Sequence, residues 1–419
     1  MERAVLVSIE IKSERRRWRM EDVSSELEEL VSSAGVGIAG HLVCVCEKPS
    51  AAYLVGRGKV EEIALLSADE NADTVIFSHD LSGTQQRNLE GVIGRKTIDR
   101  TQLILDIFSK RAKSPEGKTQ VELALLEYLL PRLTGKGIML SRLGGGIGTR
   151  GPGETKLEVD RRQVRKRIGK LKSDLESFRS HRRTINKRRK NSCLPLVALI
   201  GYTSAGKSTL LNRLTGSSQP VSEKLFTTLD PLSKALRLEN GQDVIISDTV
   251  GFLHELPHHL IEAFKATLEE VKEADLLIYV LDISDQRVHE HEESVREVLD
   301  ELGLSDKPFL TALNKVDLVC DRSWLELQKN EFAEAVVLSA KTGENMEGLI
   351  RRMGEYFSGM IADLKVLVPH SSMKLVDMLY RQARIDKIDY LEEGVSISLR
   401  MPRSLFEQLN RHGEMRIIC

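Results

Sequence analysis

The 419-residue sequence lacks a long, uninterrupted run of apolar residues. A membrane-spanning helix needs roughly 20 predominantly apolar residues, and no run of even about 18 occurs here. The first residues, Met1 to Val7, have neither the basic start nor the apolar core of a signal peptide. We therefore expect a cytoplasmic protein.

Cysteine is scarce, with five residues in the chain. They form no Cys-x-x-Cys pair, and an odd number without secretion favours reduced thiols over a disulfide framework. Cys44 and Cys46 fall on a predicted strand, where we expect them to face opposite sides. We expect no metal to be held by cysteine.

Aromatic residues are also few, at 5%, whereas 41% of the residues are hydrophobic and 29% are charged. This balance is typical of soluble globular proteins and excludes a disordered chain. The length suggests about three domains.

A glycine-bracketed loop between a strand and a helix is the first motif that carries chemistry. Residues 196–200 predict a buried parallel strand and residues 209–214 predict the helix that follows. Between them, Gly201 and Gly206 bracket four residues, so that successive backbone N–H groups can point at phosphates. Lys207 would reach the β- and γ-phosphates, and the Ser208 hydroxyl would ligate magnesium.

A second predicted strand, residues 244–247, leads into Asp248 and Gly251. A carboxylate at this position would hold the magnesium shell, and the Gly251 N–H can approach a γ-phosphate without a side chain in the way. Upstream, Thr228 lies in a polar stretch and is the candidate for a second hydroxyl on magnesium, ordered only when the γ-phosphate is present.

The third motif predicts which base is bound. Residues 309–313 predict a buried strand that delivers Asn314 and Asp317 at its carboxyl end. The carboxylate of Asp317 can accept two hydrogen bonds from guanine N1 and N2, whereas adenine would leave it unpaired. Lys315 can cover the base, and residues 339–341 offer an N–H to guanine O6.

These motifs together predict a GTPase with Mg²⁺ as cofactor and GTP and GDP as ligands. The predicted catalytic residues are Lys207, Thr228 and Gly251. The predicted metal ligands are Ser208, Thr228 and Asp248. The predicted nucleotide-binding residues are Gly201, Tyr202, Thr203, Ser204, Ala205, Gly206, Lys207, Ser208, Thr209, Phe226, Thr227, Thr228, Leu229, Asp230, Asp248, Thr249, Val250, Gly251, Asn314, Lys315, Val316, Asp317, Ser339, Ala340 and Lys341.

The order of these elements resembles that of the translation-factor-like GTPases, and further stretches narrow the resemblance. The glycine-rich residues 144–158 and the segment from Asp248 to His258 are similar to the HflX family, as are residues 53–59 and 99–102. The resemblance thins over the first fifty residues and the last sixty. It implies a GTPase that binds the large ribosomal subunit and, in some members, splits stalled or stressed ribosomes.

Phe252 departs from the best-known small GTPases, which place a water-orienting glutamine at this position. An apolar ring cannot orient water, so we expect slow hydrolysis by the isolated protein and acceleration on a partner. His254, His258 and His259 follow and could orient water, although histidines in loops more often face solvent.

The formal net charge of −1 hides a strongly basic segment. Residues 161–190 contain fourteen Lys and Arg against Asp174 and Glu176, a balance of +12 that leaves −13 for the remainder. Such a surface would meet RNA phosphates, which favours ribosomal RNA of the large subunit as partner. A solvated charged face and a nuclear signal are the alternatives.

The basic segment also has an apolar seam at coiled-coil spacing, formed by Leu157, Val164, Ile168, Leu171, Leu175 and Phe178. We predict an antiparallel pair with a helix over residues 120–133, through Val121, Leu125 and Tyr128. The glycine-rich loop 144–153 would lie at the tip of this arm, as an RNA contact or a hinge.

The remaining segments predict two further α/β units. Short strands alternate with helices from residue 5 to residue 77, which favours a small domain with a mostly parallel sheet. After residue 363 the order strand, helix, strand, strand, helix, strand predicts a ferredoxin-like α+β module. The predicted domains are 1–115 (α/β), 116–192 (helical arm), 193–362 (P-loop GTPase) and 363–419 (α+β).

Several functions stay open on the sequence alone. The chain could be an RNA-binding ribosome-assembly or hibernation factor whose GTPase serves only as a timer, or a scaffold with a degenerate nucleotide site. A membrane-associated GTPase is disfavoured because no lipidation motif or anchor is present. We expect a monomer when free, located in the cytoplasm at the ribosome or the membrane periphery.

Overall fold

We describe the protein from a computed structural model that defines residues 2–13, 18–133, 152–191, 194–217, 225–226, 230–239, 242–254, 265–332, 334–359, 361–403, 406, 409 and 416–417. The chain divides into two compact units. The first comprises Met1–Phe178, Ser222–Asp230 and Leu253–Thr267, and the second comprises Arg179–Val221, Pro231–Phe252 and Leu268–Cys419. Each unit therefore combines segments that are distant in sequence.

The first unit begins with a four-stranded sheet in the order β2-β1-β3-β4, in which every pairing is parallel. The predicted parallel α/β domain is confirmed. Its elements are β1 (Arg3–Ile11), α1 (Met20–Ala34), β2 (Gly37–Cys46), α2 (Arg57–Asp69), β3 (Thr74–Phe77), α3 (Gly83–Ile93), β4 (Lys96–Asp99) and α4 (Arg100–Arg111).

Local sequence explains where these elements begin and which face they bury. Ser82 and Gln85 form a capping box at the start of α3, and the Asp99 carboxylate caps α4. Cys44 is buried and Cys46 packs against the same apolar core. Our expectation that these two cysteines face opposite sides was wrong, because side chains two residues apart on a strand share a face.

Two helices follow, α5 (Pro115–Arg132) and the 40-residue α6 (Pro152–Asn191). The predicted helix pair is present, since Leu171 and Leu175 of α6 pack on Leu123 of α5. The predicted face of α5 was wrong: Tyr128 is buried elsewhere and donates a hydrogen bond to Asp99 at 2.9 Å. Residues 134–151, with most of the predicted glycine-rich tip, lie outside the described residues. No helix within the described ranges is long and apolar enough to cross a membrane.

The second unit contains a six-stranded sheet in the order β10-β9-β8-β5-β7-β6, parallel except that β6 runs antiparallel to β7. The central strands, residues 196–200 and 276–282, are buried apolar runs, as expected for a sheet covered on both faces. Its elements are β5 (Leu196–Ile200), α7 (Lys207–Thr215), β6 (Leu232–Arg237), β7 (Asp243–Asp248), α8 (Lys265–Glu273), β8 (Leu276–Asp282), α9 (Val288–Glu301), β9 (Phe309–Asn314), α10 (Arg322–Glu331), β10 (Val336–Val337) and α11 (Met346–Ser358).

The last module is an antiparallel sheet in the order β12-β13-β11-β14, which is the strand order of the predicted ferredoxin-like fold. Val395, Ile397 and Leu399 of β13 form a core with α12. Most of the predicted helix over residues 404–410 lies outside the described residues. The elements are β11 (Ile361–Val368), α12 (Met373–Gln382), β12 (Arg384–Leu391), β13 (Gly394–Pro402) and β14 (Arg416–Ile417).

Candidate nucleotide-binding site

Five chemically active segments leave the second unit's central sheet at one edge. Residues 201–208 follow β5, Asp248 ends β7, Asp282 ends β8, Asn314 ends β9, and Ser339 comes shortly after β10. Because the carboxyl ends of parallel strands meet at the same edge, their side chains converge there. The sheet therefore brings the predicted phosphate, metal and base-binding segments together.

At two positions the phosphate loop has a backbone conformation that only glycine adopts readily. Gly201 has a φ of +151°, and a Cβ there would clash with the carbonyl oxygen of Val280. Gly206 has a φ of +95°, and a Cβ there would clash with the Asn314 amide. The Asn314 side chain donates to the Ala205 carbonyl at 2.9 Å and accepts from the Ala340 N–H at 2.9 Å. Asn314 therefore ties the base-binding segment to the phosphate loop.

Lys207 lies buried at the start of α7 and is folded back over the loop. Its ammonium donates to the carbonyl oxygens of Gly201 at 3.0 Å and Tyr202 at 2.7 Å. Burial lowers the pKa of Lys207 to about 8, although the neighbouring Asp248 carboxylate opposes the shift. A phosphate chain would replace these carbonyls as a partner and restore the full charge.

This lowered pKa predicts that nucleotide affinity depends on pH. The cationic lysine binds the triphosphate, and the unliganded protein loses that proton as the pH rises through about 8. The affinity for GTP should therefore be nearly constant below pH 8 and decrease by about tenfold per pH unit above it, by linkage. Calorimetric titrations between pH 7 and pH 9 would measure this; a flat profile across that range would contradict it.

Oxygen ligands suited to magnesium lie side by side at the loop. The Ser208 hydroxyl donates to the Asp248 carboxylate at 2.6 Å, and this pair of hydroxyl and carboxylate oxygens matches the preference of Mg²⁺. Thr249 instead donates to the Leu199 carbonyl at 2.6 Å and fixes the end of β7. The donor set therefore fits the predicted cation, with Thr228, the third predicted ligand, outside the described residues.

Asp317, the residue predicted to bind guanine, is held in place by a hydroxyl group. The Ser339 side chain donates to the Asp317 carboxylate at 2.5 Å, and it accepts from the Thr342 N–H at 3.1 Å. Lys315 has a φ of +66° and forms an ion pair with Asp282 at 2.5 Å. Val316 and Lys341 lie beside these residues in sequence. Asp317 stays exposed, so its carboxylate remains open to a base.

Two contacts that support the site were not predicted from the sequence. Asp282 orients the Lys315 side chain, and the buried run of β8 that ends in this aspartate was a readable signal. Glu270 of α8 accepts a hydrogen bond from Ser247, the residue before Asp248. Nothing in the local sequence pairs α8 with β7, because that contact depends on tertiary packing.

The same helix α8 also contacts the basic helix α6. Arg179 forms an ion pair with Glu269 at 3.3 Å, and Arg189 donates to the Glu273 carbonyl at 3.3 Å. The carboxyl-terminal part of α6 is thus joined to the helix that supports the strand bearing Asp248.

Phe226 and Asp230, which flank the predicted ligand Thr228 in sequence, lie within the first unit. Phe226 packs edge-on against Phe108, with 4.5 Å between the ring centroids. Asp230 accepts hydrogen bonds from the N–H groups of Lys113 at 2.9 Å and Ser114 at 2.8 Å. The predicted residues Thr227, Thr228 and Leu229 lie outside the described residues. Asp230 therefore makes contacts at the start of α5.

Of the three histidines considered for catalysis, His254 is among the described residues. The ring of His254 stacks on Trp18 with 4.3 Å between centroids, and its carbonyl accepts from Arg100 at 2.5 Å. His258 and His259 lie outside the described residues. The described histidine of this group therefore has a packing role in the first unit.

Comparison with known sequence families places four matches along the chain. They are described as "GTP-binding GTPase N-terminal" over residues 21–109, "GTP-binding GTPase Middle Region" over residues 111–189, "50S ribosome-binding GTPase" over residues 196–315 and "HflX C-terminal domain" over residues 325–416. The matches cover both units.

Curated relatives extend along nearly the whole chain. The GTPase HflX of Caldanaerobacter subterraneus subsp. tengcongensis is 43% identical over 408 residues, which cover 97% of this chain and 93% of that protein. The GTPase HflX of Escherichia coli (strain K12) is 42% identical over 404 residues, covering 96% and 94%. A crystal structure of SsGBP with GDP is 26% identical, covers 86% of this chain and 99% of that one, and has a TM-score of 0.48.

Proposed function

The chain belongs to the HflX family of GTPases, and on that premise we propose that it is a GTP-dependent switch that acts on the large ribosomal subunit. In this role it would dock on stalled or stressed ribosomes with GTP bound, promote subunit separation, and leave after hydrolysis. The observation that carries the proposal is the convergence of the phosphate loop and the guanine reader at one sheet edge, joined to a basic helix through α8.

The proposed reaction is hydrolysis of GTP to GDP and inorganic phosphate. Water attacks the γ-phosphorus, and the bond to the oxygen shared with the β-phosphate breaks. Lys207 would stabilise the charge on the transferred group, and the Gly251 N–H would bind a γ-phosphate oxygen. Asp317 would select guanine over adenine.

The metal proposal rests on Ser208 and Asp248, with Thr228 as the further ligand. When bound there, Mg²⁺ would neutralise charge on the β- and γ-phosphate oxygens. Ser208 and Asp248 would keep their oxygens aligned through β7 and the start of α7. Asp248 also opposes the lowering of the Lys207 pKa by burial.

Exposed cations on α6 support RNA as the partner of this helix. Arg162, Arg165, Lys166 and Lys170 are all exposed. By contrast Arg167 is paired with Glu122 of α5 through two hydrogen bonds of 2.6 Å. The four exposed cations can neutralise RNA phosphates and release their counterions.

Replacing Arg162, Arg165 and Lys166 together with alanine should weaken binding to the large subunit and reduce its salt dependence. Each phosphate contact contributes roughly one unit to the slope of log affinity against log salt concentration, so the slope should fall by about three. Filter binding or fluorescence titration over a salt series would measure it.

A matched variant carries the same charge change elsewhere. Lys48, Arg57 and Arg95 are exposed in the first unit, and replacing these three with alanine should leave the slope unchanged. Equal loss in both variants would mean that net charge, and not the α6 surface, drives binding.

Sedimentation would test the proposed function as a whole. The protein should migrate with purified large subunits in the presence of a non-hydrolysable GTP analogue and remain near the top of the gradient with GDP. Identical migration with both nucleotides would refute the switch.

A further inference from the structure

The chain hydrolyses GTP without the side chain that usually orients the attacking water. Phe252, which follows Gly251, is apolar and 2% exposed. His254 stacks on Trp18 and is engaged in the first unit. A water-orienting hydrogen bond from this chain would therefore need a polar group other than residue 252 or His254.

Thr203, the third residue of the loop, has an unused hydroxyl. The residue is 5% exposed, and its Oγ1 atom is buried without a hydrogen-bond partner in the part of the chain that the structure describes. Buried polar side-chain atoms are nearly always paired, since leaving one unpaired costs about 1–3 kcal/mol. A hydroxyl of this kind inside a phosphate loop is a candidate for pairing with a ligand.

Thr203 lies beside Gly251, whose N–H is proposed to bind a γ-phosphate oxygen, and near Lys207. A Cβ built on Gly251 would lie 2.8 Å from both Cα and Cγ2 of Thr203, and 3.1 Å from the Lys207 ammonium. The Thr203 N–H donates to the Phe252 carbonyl at 2.8 Å, and the Phe252 N–H donates to the Gly201 carbonyl at 3.1 Å. Backbone hydrogen bonds therefore hold this part of the phosphate loop against the segment that follows Asp248.

The backbone hydrogen bonds of residue 252 do not depend on its side chain, so an apolar residue can make them. Phe252 contributes its main chain, which holds Thr203 in place, while its side chain is buried. Hydrogen-bond donors fixed in advance are effective because they need no reorganisation during reaction.

We propose that Thr203 is a catalytic residue whose hydroxyl accepts a hydrogen bond from the attacking water and donates one to a γ-phosphate oxygen. Water forms the new bond to phosphorus, the bond to the β,γ-bridging oxygen breaks, and its electron pair stays on GDP. The water proton moves to a γ-phosphate oxygen, so that Thr203 ends the reaction with the proton it began with. The proposal depends on GTP hydrolysis and not on the ribosomal partner.

Replacing Thr203 with valine tests this directly, because valine keeps the shape and removes the hydroxyl. The full-length protein with Thr203→Val should show a kcat about 100-fold lower, as for loss of one positioned catalytic group. Its KM and its affinity for GDP should change less than threefold. Thr203→Ser, which keeps the hydroxyl, should retain kcat within about threefold of the unchanged protein.

Binding of a transition-state analogue separates catalysis from structure. The Thr203→Val protein should bind GDP with aluminium fluoride about 100-fold more weakly while binding GDP alone normally. A kcat within threefold of the unchanged protein would overturn the proposal. Equal losses in GDP affinity and in kcat would also overturn it, since they would indicate a structural role.

Two further variants guard against a folding defect. Thr203→Ala introduces no new contact and should show the same loss of kcat, because it also lacks the hydroxyl; a normal kcat in this variant would mean that valine acted by distorting the loop, and would overturn the proposal. Thr215→Val removes a hydroxyl that bonds to the Leu211 carbonyl at 2.8 Å at the far end of α7, outside the site. The Thr215 variant should keep its kcat, and a matching loss there would show that any threonine-to-valine change in this region disturbs the fold.

Discussion

Asp317→Asn should change the preferred nucleotide from GTP to XTP. The carboxylate of Asp317 accepts from the Ser339 hydroxyl at 2.5 Å and is otherwise exposed, and we propose that it accepts from two guanine N–H groups. An asparagine of the same shape offers an NH₂ group, which repels the guanine amino group and pairs with the second carbonyl of xanthine. Because a polar site left unpaired discriminates strongly, GTP affinity should fall by about a thousandfold or more.

Competition titrations with GTP and XTP measure this exchange. Asp321→Asn is the matched control, because Asp321 caps α10 and asparagine caps equally well. That control should keep its preference for GTP. An unchanged preference in the Asp317 variant would show that another group reads the base.

Lys207→Ala should abolish measurable turnover. Lys207 is 6% exposed and is the cation that points into the phosphate loop, with its ammonium held on two loop carbonyls. Charge-assisted contacts to a transferring phosphoryl group provide a large part of its stabilisation, so kcat/KM should fall by about 1,000-fold or more. Weaker binding of both GTP and GDP should accompany the loss.

Single-turnover hydrolysis of radiolabelled GTP is the appropriate measurement. Lys374→Ala, an exposed substitution on α12, controls for preparation and folding. Turnover within tenfold of the unchanged protein would remove Lys207 from its proposed role.

Much of the fold could be predicted because its signals are local. Strand β5 has the predicted boundaries, since it is a short apolar run bounded by turns. The order of elements after residue 363 indicated the ferredoxin-like module, and the sheet has the matching strand order. The position of residues 201–208 between a strand and a helix followed from the same logic.

The contacts between elements could not be read in the same way. The pairing of α5 and α6 was predicted from periodicity, but Tyr128 is committed to Asp99, so that Leu123 faces α6 instead. A helix with two apolar faces gives no local signal for which partner each face takes. The Glu270 contact to Ser247 and the buried Thr203 hydroxyl are likewise products of packing.

Asp230 is attached to the amino-terminal end of α5, more than a hundred residues earlier in the chain. Its carboxylate binds the N–H groups of Lys113 and Ser114, and α5 then runs 18 residues, about 27 Å at 1.5 Å per residue. The carboxylate therefore fixes the start of this helix, and Arg132 lies at its other end.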